Sequence, residues 1–161
     1  MAAPEIRTIT VAVDGSAHAD EALRYATDLA RRYGAELTVV AVAPIHPVYL
    51  SPTEPWVSAE VMQSEGDHYR AIVDRSVKQA QGAGLTEVTG VCLEGVIVDE
   101  LMGHLEQHPP DLFVVGSRGL STAKRLFIGS VSEALLHHVA CPILVVRAPP
   151  TATAGSSGGS E

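Results

Sequence analysis

Short apolar runs alternate with longer segments of helical periodicity along most of the chain. The runs are rich in Val and Ile and are bounded by Gly, Pro or Asp, which is typical of strands. Residues 112–115 and 143–146 are continuously apolar, as strands covered by helices on both faces must be, and they favour a parallel sheet. The predicted strands are residues 6–13, 36–43, 86–92, 111–116 and 142–147.

The segments between these strands place apolar residues three and four positions apart, on one face of a helix. Gly34 ends the first segment as a stop, and the apolar stripe before it consists of Ala22, Leu23, Ala26, Leu29 and Ala30. The predicted helices are residues 20–33, 58–81, 96–107 and 131–139. This alternation predicts a single-domain α/β fold, with a doubly wound sheet of five parallel strands in the order 3-2-1-4-5 and helices on both faces.

Length and local composition add the domain organisation. The chain has 161 residues, which is the usual size of one domain. We expect the domain to occupy residues 1–148 and residues 149–161 to form a disordered tail, because these are rich in Pro, Gly and Ser and have no apolar mass to bury. Residues 44–57 contain four prolines and are expected to form a surface loop or a lid.

The charge balance excludes some classes of partner. With 11 Lys and Arg against 19 Asp and Glu, the net charge is −8, which opposes binding to nucleic acids and to anionic membranes. The N-terminal residues lack the basic and apolar regions of a signal peptide. No apolar run is as long as the roughly 18 residues that a membrane span needs. We therefore expect a cytoplasmic protein. Cys92 and Cys141 are the only cysteines, and both are expected to be reduced and buried.

Ligands of a doubly wound sheet bind beyond the carboxyl ends of the strands, where neighbouring connections leave on opposite faces. The first strand ends in Val-Asp-Gly-Ser at residues 13–16, and the fourth ends in Val-Gly-Ser-Arg-Gly at residues 115–119. If these two strands are neighbours, Asp14 and Gly116 face a common crevice. The sequence therefore predicts a ligand site at the carboxyl ends of the first and fourth strands.

The connection after the fourth strand is suited to an anion. Gly116 and Gly119 are followed by nine residues and then by Gly129-Ser130, which opens a helix. Glycines let backbone N–H groups approach an anion, and the start of a helix attracts negative charge. Residues 112–132 also contain three basic residues and no acidic one. A solvated basic loop is the alternative to an anion site; the basic residues are Arg118, Lys124 and Arg125.

Two common nucleotide fingerprints are absent from the sequence. There is no G-x-x-x-x-G-K-[ST], and no G-x-G-x-x-G follows a strand, which weakens the P-loop hydrolase and dinucleotide oxidoreductase hypotheses. No arrangement of Ser, His and Asp, no Cys–His pair and no close carboxylate pair stands where a nucleophile would be needed. We therefore expect any hydrolysis catalysed by this chain to be slow.

The glycine spacing resembles that of a known family. Gly116-x-x-Gly119, nine residues and then Gly129-Ser130 are similar to the G-2x-G-9x-G-[S/T] signature of the nucleotide-binding branch of the universal stress proteins. The resemblance extends over residues 6–147, and it includes the Val-Asp-Gly-Ser ending of the first strand and the closing Cys-Pro-Ile-Leu-Val-Val-Arg. Ala12 stands where some members carry proline.

This resemblance implies an ATP site, with Mg²⁺ as the accompanying metal. Asp14 and the backbone of Ala12 and Val42 would contact the adenosine portion. The residues implied near ribose and the α- and β-phosphates are Gly116, Ser117, Arg118 and Gly119, and those near the distal phosphates are Gly129, Ser130, Val131 and Ser132. The resemblance also implies a homodimer joined through the last strand, Ile143–Val146.

Several of these residues have a structural interpretation as well. Asp14 could instead be a turn or cap residue, and Ser130 forms an S-x-x-E capping box with Glu133. Trp56 could anchor the proline-rich loop or cover adenine. Glu100, His104 and His108 are spaced four residues apart along one predicted helix. We expect them to form a solvated face rather than a metal site, because ligands from one straight helix approach a metal from one side only.

The leading functional hypothesis is an ATP-binding stress-response regulatory protein that acts as a nucleotide-dependent switch or sensor. One alternative is a dimeric interaction protein whose glycine loop is structural. Others are a binder of another adenine nucleotide such as cyclic AMP, and an ATP-consuming enzyme. The inducing stress and the protein partner do not follow from the sequence.

Overall fold

A computed structural model describes residues 5–45, 59–118 and 130–149. Strands and helices alternate strictly along the chain, as the sequence predicts. The elements are β1 (Thr8–Ala12), α1 (Ala17–Tyr33), β2 (Glu36–Pro44), α2 (Ala59–Gly82), β3 (Val88–Gly95), α3 (Ile97–Gln107), β4 (Leu112–Gly116), α4 (Ser130–His138) and β5 (Ile143–Val146). All strands pair in parallel, in the order β3-β2-β1-β4-β5, which confirms the predicted fold class and strand order.

Several strands and helices begin or end at residues other than those predicted. β3 runs to Gly95 instead of residue 92, because its pairing with β2 continues as far as Pro44 and Gly95. The expected loop at residues 44–57 therefore begins later than predicted, and residues 46–58, with Trp56, lie outside the described part of the chain. α1 begins at Ala17 instead of residue 20 because the Ser16 side chain caps it.

Two separate apolar cores lie on the two faces of the sheet. The first is formed with α1 and α2 and includes Val11, Leu23 and Ile72. The second is formed with α3 and α4 and includes Phe113, Leu101 and Leu135. Side chains of a strand alternate between the faces, so neighbours such as Val39 and Val40 belong to different cores. The prediction of helices on both faces is thus confirmed.

The environment of the cysteines differs from expectation. Cys92 and Cys141 are free thiols, as predicted, but both are half-buried instead of fully buried. Burial raises the pKa of each thiol, so neither is a ready thiolate. Among the described helices, none is both long and apolar enough to cross a membrane. The expected tail falls almost entirely outside the described residues, which end at 149.

Candidate functional site

The site predicted from the sequence lies where α1 and α4 leave neighbouring strands toward opposite faces of the sheet. β1 and β4 are paired, whereas α1 packs in the first core and α4 in the second. The ladder between the two strands ends at Val11 and Val114. Beyond that point β1 continues beside β2 and β4 beside β5, and a ligand crevice is expected at such a divergence on the carboxyl edge of the sheet.

The backbone of Val42 borders this crevice. β1 pairs with β2 as far as Ala12 and Val40. The last backbone hydrogen bond between these two chain segments runs from Val13 N–H to Val40 O, at 2.9 Å. β2 itself continues to Pro44. Backbone groups of alternate residues point to the same side of a strand, and Val40 O points toward β1. The N–H and C=O of Val42 therefore point in the same direction, past the end of β1.

The connection from β1 to α1 is a tight turn fixed by two polar side chains. Asp14 Oδ1 accepts a hydrogen bond from Ser16 N–H at 2.9 Å, and Gly15 has a φ of 82°, a conformation that favours glycine. Ser16 Oγ accepts from Ala19 N–H at 3.2 Å, so the helix cap is Ser16 and Asp14 holds the turn before it. Asp14 itself is half-buried, two residues beyond the end of β1.

The end of β4 is attached to the start of α1. Ser16 Oγ donates to Arg118 O at 3.3 Å, and Ser117 Oγ lies 3.0 Å from His18 Nδ1. Ala148 N–H also donates to His18 Nδ1, at 3.0 Å. Since Ala148 follows β5, the first turn of α1 contacts the ends of two strands.

Gly116 is buried against helix α1. A Cβ at this position would approach the backbone of His18 to 2.8 Å, so no larger residue fits without a shift of the helix. The Gly116 carbonyl accepts a hydrogen bond from Ser132 Oγ at 2.8 Å. The absence of a side chain at Gly116 thus has a packing reason of its own, alongside the predicted approach to a ligand.

The structure brings together most of the predicted site residues that it describes. Ser117 and Ser132 are buried, with their hydroxyls in the internal contacts above. Ala12, Arg118 and Val131 are half-buried. Gly119 and Gly129 lie outside the described residues. Ser130 is the first residue of α4, but its side chain is not described, so its capping role stays a prediction.

Three neighbours of the site escaped the sequence analysis. Ser16 could have been found, because a serine before a helical stripe is a common cap. Tyr69 on α2 lies close enough to Asp14 that this carboxylate, after burial, raises the pKa of the phenol. His18 has no local sequence indication, since its partners lie 99 and 130 positions away.

The histidine-containing face of α3 is not a metal site within the described residues. Residues 5–45, 59–118 and 130–149 contain no group of three side chains able to hold a metal. The expectation of a solvated face is correct for the exposed His108 and wrong for Glu100 and His104, which are both half-buried. The Nε2 of His104 is shielded and has no hydrogen-bond partner. Burial, and then His108, lower the pKa of His104.

Sequence comparison gives one consistent result. The model of the universal stress protein family matches residues 5–147. A universal stress protein of Methanocaldococcus jannaschii is 30% identical over 145 residues, which cover 89% of this chain and 83% of the relative. One from Thermus aquaticus is 32% identical over 145 residues, covering 88% of this chain and 98% of the relative.

Structural comparison leads to the same group of proteins. UspA from Lactobacillus plantarum has a TM-score of 0.78 at 24% identity, covering 89% of this chain and 99% of that one. A universal stress protein in complex with cAMP has a TM-score of 0.65 at 25% identity, covering 90% and 99%. A family protein from Arabidopsis thaliana with AMP bound has a TM-score of 0.64 at 20% identity, covering 89% and 93%.

Proposed function

Because this chain belongs to the universal stress protein family, we propose that it binds an adenine nucleotide in the crevice at the ends of β1, β2 and β4. The nucleotide is ATP, and its binding makes the protein a switch or sensor in a stress response. Similar proteins that hold cAMP and AMP support an adenine ligand.

The backbone of Val42 is the observation that carries this proposal. Its N–H and C=O point into the crevice from one residue, past the end of β1. Adenine has a hydrogen-bond acceptor, N1, next to a donor, the exocyclic amine. The N–H of one residue can therefore donate to N1 while its C=O accepts from the amine. Asp14 is half-buried, two residues beyond the end of β1, and its carboxylate would bind a ribose hydroxyl. This combination favours adenosine over a bare anion.

The phosphates are placed toward α4. Gly116, Ser117, Arg118 and Gly119 lead into the connection, and Gly129 and Ser130 precede the helix, whose N-terminal N–H groups attract negative charge. Arg118, Lys124 and Arg125 add positive charge in the sequence of this connection. Asp14 would contribute one carboxylate, and phosphate oxygens and water would supply most ligands of a bound Mg²⁺, as is usual for this ion.

A regulatory role is favoured over rapid turnover. ATP hydrolysis requires a group that orients the attacking water, and we assign none of the described residues to that role. Asp14 Oδ1 is engaged in the turn before α1, and the buried Ser117 and Ser132 hydroxyls have internal partners. Hydrolysis, where it occurs, is therefore slow, and the bound state itself is the signal.

The β5 edge is proposed as the homodimer contact. β5 is the last strand of the sheet, and Ile143, Leu144 and Val145 are each half-buried in the single chain. A short apolar edge of this kind can pair with the same strand of a second copy. We place the dimer in the cytoplasm.

Calorimetric titration of nucleotide-free protein tests the ligand. ATP with Mg²⁺ should bind saturably, and ITP should bind at least about tenfold more weakly, because hypoxanthine reverses the donor and acceptor pattern of adenine and leaves the Val42 groups unpaired. Equal binding of ATP and ITP would contradict the adenine contact. Asp14→Asn is the matched variant, since the amide oxygen can keep the bond to Ser16 N–H while the charge is lost; it should weaken ATP binding without unfolding the protein.

The interaction-protein alternative has its own supporting observation. Ser117, Ser132 and the carbonyl of Arg118 all have partners within the protein, as a purely structural glycine connection would require. This alternative expects no heat with ATP, ADP or cAMP. It also expects function to be lost when β5 is disrupted and to survive Asp14→Asn.

A further inference from the structure

The ring of His18 joins three distant parts of the chain. His18 lies in the first turn of α1, and its Nδ1 is 3.0 Å from Ser117 Oγ and 3.0 Å from Ala148 N. Ser117 begins the connection after β4, and Ala148 belongs to the segment that leaves β5. One ring atom thus contacts both the proposed nucleotide site and the chain beyond the last strand.

The chemistry of Nδ1 fixes the roles of these groups. A backbone N–H can only donate, so Nδ1 must accept from Ala148 and carries no proton in this arrangement. Nδ1 has a single lone pair, and the hydroxyl hydrogen of Ser117 competes with Ala148 N–H for it. A change at Ser117 therefore alters the bond to Ala148.

The neighbouring contacts hold residues 116–118 firmly against α1. Ser16 Oγ donates to Arg118 O at 3.3 Å, and the α-carbon of Gly116 packs against the His18 backbone. Ser117 N–H donates to Val146 O at 2.7 Å, so β5 is attached to the same residues. Displacement of this turn by a ligand would be transmitted to Ala148 through His18.

We propose that His18 is a positioning residue that couples the Ser117–Arg118 turn to Ala148. The link to a nucleotide rests on the function proposed above, whereas the link between the turn and Ala148 does not. A ligand that binds the Ser117 hydroxyl draws it away from Nδ1, so that Nδ1 accepts from Ala148 N–H alone and the Ala148 amide is protected. The segment leaving β5 thereby reports occupancy of the site.

Amide hydrogen exchange at Ala148, followed by NMR on the full chain without nucleotide, tests the structural half. His18→Leu should accelerate exchange at Ala148 by about fivefold through loss of one hydrogen bond. His18→Asn, whose amide oxygen can replace Nδ1 as acceptor, should restore much of the protection. Ser117→Ala should slow exchange, because it removes the competing donor. The Val146 amide, paired with β4, is the internal control.

Two results at Ala148 itself would overturn the proposal. One is unchanged exchange at Ala148 in His18→Leu, and the other is faster exchange in Ser117→Ala. Equal acceleration at Ala148 and Val146 would also overturn it, because it would indicate general destabilisation instead of loss of a specific contact.

Addition of ATP with Mg²⁺ tests the coupling to the site. In the wild type, saturation should slow exchange at Ala148, and the same saturation of His18→Leu should leave the Ala148 rate unchanged. ATP binding to the wild type with no effect at Ala148 would overturn the coupling to the nucleotide. Absence of ATP binding would refute the proposed function instead, and the nucleotide-free comparison would still decide whether His18 couples Ser117 to Ala148.

Discussion

The α-carbon of Gly116 packs directly against the backbone of His18. A Cβ built on Gly116 would lie 2.8 Å from the carbonyl carbon of His18 and 3.0 Å from the backbone nitrogen of Ala19. These are backbone atoms at the beginning of a helix, so they cannot move aside as the end of a flexible side chain would. The close approach brings the first turn of α1 to the end of β4, where the proposed site lies.

Gly116→Ala should therefore be strongly destabilising for a single methyl group. Forcing the added carbon into this contact should reduce the free energy of unfolding by about 2 kcal/mol, a usual cost of overpacking. The displaced helix start should also weaken ATP binding. Urea unfolding and calorimetry measure the two effects.

Gly103→Ala is the matched control for this substitution. Gly103 lies inside α3, and nothing stands within 4 Å of a Cβ built there. Alanine should stabilise the helix by about 0.5 to 1 kcal/mol. A loss of stability in Gly103→Ala as large as that in Gly116→Ala would show that the clash with His18 is not the cause.

Ser16→Ala should affect both the helix and the site. The hydroxyl accepts from Ala19 N–H and donates to Arg118 O, and loss of a serine cap costs about 1 kcal/mol. Ser16→Asp keeps an acceptor for the cap and lacks the hydrogen for Arg118. If the bond to the Arg118 carbonyl positions the connection after β4, Ser16→Asp should restore most of the stability that Ser16→Ala loses, as measured by urea unfolding. It should restore little of the ATP affinity that Ser16→Ala loses. Full recovery of both would contradict that role.

The fold could be predicted because its determinants are local. Continuous apolar runs such as residues 143–146 and the stripe that ends before Gly34 identify each element from its own sequence, and strict alternation then leaves few topologies. The exact ends of the elements depend on neighbours. β3 reaches Gly95 because β2 accompanies it to Pro44, and no pattern within residues 86–95 contains that information.

The site was only partly predictable for the same reason. Asp14 and Gly116 are predicted as site residues from their positions at strand ends, which follow from topology. The contacts of His18 were missed, because they are with Ser117 and Ala148, which are distant in sequence. The packing reason for Gly116 was missed too, since it requires the distance to α1. The contact predicted for Val42 came from family resemblance; the structure adds its backbone direction.

Asp111 should make the protein sensitive to acid. One of its carboxylate oxygens, Oδ2, accepts from Arg7 N–H and Thr8 N–H at 2.8 and 2.9 Å, and these backbone bonds hold the pKa of the carboxyl below its ordinary value. The folded state therefore favours the ionised form more than the unfolded state does. The stabilisation is present above the unfolded pKa of about 3.9 and is lost as the pH falls through the folded pKa.

Asp111→Asn isolates this contribution. The variant should be less stable than the wild type at neutral pH, and the difference should shrink as the pH falls into the acid range. Urea unfolding across pH measures it, and Glu106→Gln on the exposed face of α3 controls for the loss of a carboxylate. A difference that stays constant with pH would mean that the charge of Asp111 is not what the backbone bonds stabilise.

His104 should produce a second pH dependence, nearer to neutrality. Its Nε2 is shielded without a partner, and burial followed by His108 lowers its pKa. The unfolded chain therefore takes up a proton at higher pH than the folded chain does. Stability is lost as the pH falls below the ordinary histidine pKa of about 6.5, and the loss levels off below the folded pKa.

His104→Leu removes both the titrating ring and its unpaired nitrogen. The free energy of unfolding of this variant should fall less than that of the wild type between about pH 7.5 and pH 5, as measured by urea unfolding at each pH. His137→Leu, at an exposed position of α4, is the matched control for loss of an imidazole. Since Leu satisfies no hydrogen bond and needs none, His104→Leu should also be no less stable at neutral pH. An unchanged pH dependence would show that His104 protonates equally well in the folded and unfolded chains, and that the ring is open to water in solution.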